Sequence, residues 1–231
     1  MKQLFSFVLC FLASYFLTAQ EVKKVYTVNP GQTLDEGLPF EVRYAYPEFK
    51  AGFAHFRNGN LGGSKMNYNY LISEMQFING ADTVSVNKAE DIKFIVIEKD
   101  TFYYVKGWVR QLATSGEVKL GEKKSLAFSN REKIGAFGTS GGGSSIDAVE
   151  NVSTVSNIQK SLEAKQMLSF AEYSVFYFAD RFGEYRQATK KSLANMFGKN
   201  HPGFEKFLEE GKFNYFSETD MKKVYDYLIQ H

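Results

Sequence analysis

The feature that most constrains this chain is its punctuation. Between residues 40 and 137, pairs of turn-forming residues recur after short apolar runs: Asn58-Gly59, Asn79-Gly80, Lys99-Asp100, Ser115-Gly116 and Gly121-Glu122. Asn-Gly and Ser-Gly pairs accept the positive φ that tight turns need, and turns every 8–12 or so residues leave room for strands but not for long helices. Aromatic residues make up 16% of the chain, with 22 Phe and 14 Tyr, and such side chains suit the pleated, half-buried surface of a strand. The pattern predicts an antiparallel β-meander, either a curled sheet or a partial barrel.

Individual strands follow from alternation. Residues 38–46 and 49–57 flank Pro47, which has no N–H for a ladder and marks a break or an edge. In 65–78 the large side chains Met66, Tyr68, Tyr70 and Ile72 share one parity, then Met75 and Phe77 take the other. That switch predicts a bulge or a sheet-changing bend near Ser73. Residues 83–86 return as a hairpin, and 92–97, apolar at nearly every position, predict a central strand covered on both faces. Phe102, Tyr104 and Trp108 share one face, and 117–120 and 125–128 read as two further short strands, with another at 134–137.

Residues 138–157 are rich in Gly and Ser or polar without period, and predict a flexible loop. In 165–180 a helical spacing, from Ala164 through Leu168, Ala171, Val175 and Phe178 to Phe182, competes with the aromatic and Val-rich run 173–178. The second signal favours strand. The C-terminal part is helical: 186–197 ending at Gly198 as a left-handed cap, then a short helix with Pro202 in its first turn, Phe204, Phe207 and Leu208 inward and Gly211 at its end. A last helix is capped by Ser217, with Met221, Val224, Tyr225 and Leu228 on one stripe. The fold class is therefore α+β, a meander over 21–137, a loop over 138–157, and final strands and helices over 158–231 packed on the sheet.

Residues 1–20 have the three-part layout of a signal peptide: Lys2, an uncharged apolar run over 4–17, then Thr18-Ala19-Gln20. The run is shorter than the ~20 apolar residues of a spanning helix; an uncleaved anchor is the alternative. Cys10, the one cysteine, lies inside it, so the body must hold together by packing without disulfides. Lipidation of Cys10 would leave almost no apolar run before it. These features predict a bacterial protein exported to the periplasm or beyond. With 28 Lys and Arg against 26 Asp and Glu, the balance gives no electrostatic case for nucleic acid, and no second apolar run is long enough for a transmembrane helix.

The segment Asn67-Tyr68-Asn69-Tyr70 with Glu74-Met75-Gln76-Phe77-Ile78 is joined by a closing run: Lys190-Lys191-Ser192-Leu193, Met196-Phe197, Phe204-Glu205-Lys206-Phe207 and Lys212-Phe213-Asn214-Tyr215. Together they resemble a family of uncharacterised exported bacterial proteins. The resemblance implies export and a β-rich body with C-terminal helices, and no activity.

Few residues suggest chemistry. Gly138-Thr139-Ser140-Gly141-Gly142 matches the G-x-S-x-G nucleophile pattern, but no convincing helix follows. The base would have to be His55, His201 or His231. The glycines are not followed by Lys-Ser or Lys-Thr, so the tract is no phosphate-binding loop. Three scattered histidines and a cysteine-free body argue against a transition-metal site, and Asp82, Asp91 and Asp100 are spaced like turn residues. Nothing calls for a cofactor. What remains is an aromatic surface drawn from Tyr44, Tyr46, Tyr103 and, as the ligand-binding candidates, Tyr68, Tyr70, Tyr104 and Trp108, with core packing as the competing account. The sequence thus predicts a non-enzymatic envelope protein, binding or scaffolding through the sheet or the helices, with another envelope protein, a glycan or a lipid-like ligand as partner. The alternatives are a carrier of a small apolar ligand and, last, a serine hydrolase at Ser140.

Overall fold

The computed structural model describes residues 24–132, 164 and 167–230, and of 129–132 only the backbone. The signal segment, the strand expected at 134–137, the loop over 138–157, Ser140 and His231 lie outside these residues.

The strands are β1 (Val25–Val28), β2 (Lys50–Phe56), β3 (Leu61–Asn69), β4 (Glu74–Asn79), β5 (Asp82–Ser85), β6 (Ile92–Ile97), β7 (Asp100–Tyr104), β8 (Trp108–Ser115), β9 (Val118–Glu132), β10 (Met167–Ala179) and β11 (Tyr185–Gln187). They form one antiparallel sheet in the order β1-β10-β9-β8-β7-β6-β2-β3-β4-β5, with β11 beside the far half of β10. The sheet curls without closing. Four strands separate β3 from β9 in this order, yet the Leu126 N–H on β9 donates to the Tyr70 carbonyl just past β3 at 2.9 Å. The α+β class with a curled meander and mostly C-terminal helices is therefore what the chain adopts.

Several local expectations hold. Gly59, Gly80 and Gly116 take φ of 90°, 64° and 53° at their turns, β4 and β5 form the hairpin expected at Asn79-Gly80, and of the stretch 165–180 expected as strand, Met167–Ala179 is one. Others are corrected. Residues 38–46 are not a strand: Pro39 precedes a short helix α2 (Phe40–Arg43), after an equally short α1 (Leu34–Gly37), and the Phe40 and Tyr44 rings stack at 4.3 Å. The parity switch in 65–78 is a hairpin, with Met66 opposite Phe77 and Tyr68 opposite Met75. Its turn is built by Asn69, whose side-chain oxygen accepts the Leu71 N–H at 3.0 Å, and by Ser73 in a left-handed conformation, φ 57°.

Of the two strands expected at 117–120 and 125–128, residues 118–120 and 125–128 belong to the single strand β9, Glu117 lies in the turn before it, and Gly121 is no turn. A Cβ there would lie 2.5 Å from Val109 Cγ1 and 3.0 Å from Tyr185 Cε1, so close approach of neighbouring side chains is what requires glycine. Nor is β6 covered on both faces: Ile92, Ile95 and Ile97 are buried, while Lys93 is exposed and Phe94 and Val96 are half-buried on the other side.

The C-terminal helices are α3 (Lys190–Phe197), α4 (Phe204–Glu210) and α5 (Glu218–Gln230). Gly198 and Gly211 end α3 and α4 with right-handed φ of −56° and −72° rather than as left-handed caps. The left-handed residue is Gly203, φ 86°, which starts α4 and leaves Pro202 outside it. Leu193, Phe197, Phe204, Leu208, Met221, Val224, Tyr225 and Leu228 close over Leu120, Phe176 and Phe178 of the sheet. At the opposite end of β9 and β10, Val28, Leu34 and Leu38 pack on Leu126, Leu168 and Phe170.

The α5 stripe gives a direct test of this packing. Leu228 is 3% exposed and its neighbour Ile229 42%. Leu228→Ala should lower the unfolding free energy by about 2–5 kcal/mol, and Ile229→Ala should change it by less than ~0.5 kcal/mol, as read from urea denaturation.

Candidate functional site

Strand alternation gives the curled sheet a concave and a convex face, and register decides which side chains meet on each. On the concave face, Phe102 of β7, Arg110 of β8, Glu122 of β9 and Phe176 of β10 are cross-strand neighbours. Arg110 and Glu122 are thereby placed side by side, with Nη2 3.1 Å from Oε2. The other Glu122 oxygen accepts the Ser174 hydroxyl at 2.6 Å. One step along the same face, Lys124 Nζ lies 2.7 Å from Glu172 Oε2, whose Oε1 accepts the Tyr26 hydroxyl at 2.8 Å. Asp100 accepts the Tyr46 hydroxyl at 2.6 Å.

These groups form a polar seam between the apolar clusters. The Tyr70 hydroxyl is pushed up to about 12, first by burial, with Arg110 opposing and Glu122, Glu172 and Asp100 adding to the rise. Lys124 sits 5.3 Å from the Tyr70 ring centre. Tyr26 is pushed up to about 12 by burial and by Glu172. Burial acts to raise Glu172, but the hydrogen bonds from Lys124 and Tyr26 outweigh it and hold the carboxyl below its ordinary range. All three seam carboxylates already accept a proton donor, so the seam works chemically as a lattice that fixes strands to one another.

The four residues proposed from sequence as ligand contacts all lie along this side of the sheet, in two pairs. The Tyr104 and Trp108 rings meet at 5.3 Å, and Tyr68 and Tyr70 at 5.4 Å. Tyr68 and Trp108, 2% and 3% exposed, belong to the core around Ile95, Ile97 and Phe102. The Tyr68 hydroxyl is buried there without a hydrogen-bond partner, and burial raises its pKa. Tyr104 reaches water at the rim. Tyr44 is engaged with Gln76 at 2.8 Å.

The convex face carries a row that alternation did not single out. His55 of β2 stacks on Phe94 of β6 at 4.3 Å, Phe94 meets Tyr103 of β7 at 6.0 Å, and Tyr103 meets Tyr185 of β11 at 5.0 Å. Tyr185 reaches across Gly121 to donate to Gln111 at 3.3 Å. Phe53, beside His55 on the same strand face, is 50% exposed. The signal that identifies these residues is the small partners between them. Gly52 and Ala54 face the crowded interior, where a Cβ on Gly52 would already meet Met66 and Ile97 at 3.1 and 3.2 Å, so the large rings of β2 point outward.

Among the described residues, no group of three or more His, Cys, Asp and Glu is placed to hold a metal ion, and no helix is long and apolar enough to cross a membrane. Compared with known proteins, the chain matches no family model, no curated protein and no solved structure.

Two measurements check the seam. Glu122 is 7% exposed and Arg110 36%. Arg110→Met, which strands a buried carboxylate, should cost about 3 kcal/mol. Glu122→Gln should cost clearly less, because the released guanidinium regains water. Glu172, held below its ordinary value of 4.5, contributes stability that is complete above that pH and is lost as pH falls through the lowered value. The stability gap between wild type and Glu172→Gln should therefore narrow in acid; urea midpoints showing a constant gap would assign it to something other than ionisation.

Proposed function

We propose that this chain is an exported, non-enzymatic binding or scaffolding protein of the bacterial envelope, and that it binds through the convex aromatic face of its sheet. The observation that carries this reading is the row His55, Phe94, Tyr103 and Tyr185, with Phe53 half out in water beside it. Tyr185 is buried at one end of the row and His55, Phe94 and Tyr103 are half-buried, so what meets water is Phe53 together with part of those three rings, and aromatic rings are the side chains that contribute most to recognition surfaces. The concave side supports the same reading from the other direction: its ions are mutually paired and its rings are packed together. Export is supported by the signal layout of residues 1–20 and by a body without cysteine.

A second reading, a carrier of a small apolar ligand within the curl, has the unpartnered Tyr68 hydroxyl inside the core in its favour. Retained lipid in organic extracts of the purified protein would support it.

A photo-crosslinking residue placed at Phe53 in the full chain, expressed in an exporting bacterium, should yield a defined adduct with an envelope component. The same residue at Val84, 37% exposed on β5 at the far edge of the sheet, should not. Absence of any adduct at Phe53 would remove the convex face as the binding surface.

A further inference from the structure

The charges on the convex face are as one-sided as its rings. On the described side chains of β2, β6, β7, β8 and β9 that share the Phe94 and Tyr103 face, register places Lys119 and Lys123 and no carboxylate. The contrast with the concave side is sharp, since Lys124, next to Lys123 in sequence but on the opposite face, is paired with Glu172 at 2.7 Å.

Neither Lys119 nor Lys123 has a carboxylate partner among the described residues. Lys119 Nζ stands 5.6 Å from the Tyr103 ring centre, a cation against a ring face. Lys123 is half-buried and its ammonium donates to the Lys106 carbonyl at 3.1 Å. The adjoining turn is shaped around it: a Cβ on Gly107, φ 125°, would lie 2.6 Å from Lys123 Nζ. Burial without a counter-charge disfavours the charged ammonium and lowers its pKa. An arriving anion supplies the missing charge to a group already held in place.

The class of partner follows from what the face offers. The row crosses β6 and β7, whose neighbours on both sides are paired, so no free backbone edge is available there for strand addition by a peptide. What is presented is the half-buried rings of His55, Phe94 and Tyr103, Phe53 half out in water beside them, and two cations. Sugar rings have apolar C–H faces that stack on aromatic rings, and an acidic sugar adds a carboxylate at intervals along an extended polymer. Resting on the convex face being the binding surface, we propose that it holds an acidic polysaccharide, with sugar rings stacked along Phe94 and Tyr103 toward His55 and carboxylates paired with Lys119 and Lys123.

The test is isothermal titration of the exported protein with three probes: polygalacturonate oligomers, the same oligomers fully methyl-esterified, and polyglutamate of matched charge. Polygalacturonate should bind, more weakly as salt rises. Esterification, or the double substitution Lys119→Gln with Lys123→Gln, should weaken it about tenfold or more. Tyr103→Leu should weaken it as well while the unfolding midpoint shows the variant folded.

Polyglutamate binding as tightly as polygalacturonate would overturn the glycan assignment in favour of an acidic peptide. Polygalacturonate binding that ignores the lysine substitutions, or no binding, would overturn it outright. If the Phe53 adduct persists in that case, the binding face stands and only the partner class falls; if the adduct is also absent, the face itself falls.

Discussion

The pairing of β9 with β10 is the constraint on which the rest of the molecule depends. It runs from Met167 opposite Glu132 to Ala179 opposite Lys119, and its concave positions read in sequence as three environments. Leu120 and Phe178 carry the helices, Glu122, Lys124, Glu172 and Ser174 carry the seam, and Leu126, Leu168 and Phe170 carry the N-terminal segment. Because side chains alternate with a period of two, one ladder fixes all three at once. A slip of one residue would turn Lys123 inward and Glu122 out to water, leaving charges stranded on both faces.

That consequence suggests why an ion lattice lies inside a protein that has no disulfide to hold it. Buried ion pairs contribute little net stability once desolvation is counted, and a well-packed apolar replacement is often as good or better. A paired seam does penalise every register but one. Arg110, Glu122 and Ser174 tie β8, β9 and β10 together, while Tyr26, from β1, and Tyr46, from the segment before β2, reach in from either side to Glu172 and Asp100. The curl is held further by the Leu126 to Tyr70 backbone bond. The concave side is accordingly committed to holding the curvature, and the recognition proposed above falls to the outside of the curve.

The outside follows an unusual division of residue sizes. Gly52 and Ala54 are buried on the inside of β2, whereas Gly121 is crowded by Val109 and Tyr185 on the convex side, where Tyr185 is buried and Phe53 is half out in water. On a surface helix or an ordinary half-buried strand the large apolar residue marks the core. Here the interior of a tight curl has less room than its exterior, so glycine and alanine mark the inside of β2 and the rings splay on the convex side. Lys119 and Lys123 extend that surface with charge that nothing on the same face neutralises.

The local order of the chain was legible in its residues. Gly59, Gly80 and Gly116 mark turns because few other residues tolerate their backbone angles. The α5 stripe of Met221, Val224, Tyr225 and Leu228 buries as its spacing requires, and the aromatic density of 173–178 correctly favours strand for β10. What the sequence could not determine is which face of each strand lies inside, because alternation is symmetric until another element covers one side. Only the tertiary curl placed Tyr68 and Trp108 in the core and Phe94 and Tyr103 outside it. It also joined Tyr26 to Glu172 across 146 residues, and made Gly121 a point of close approach instead of a turn. Those outcomes depend on distances between strands remote in sequence, and no local pattern encodes such distances.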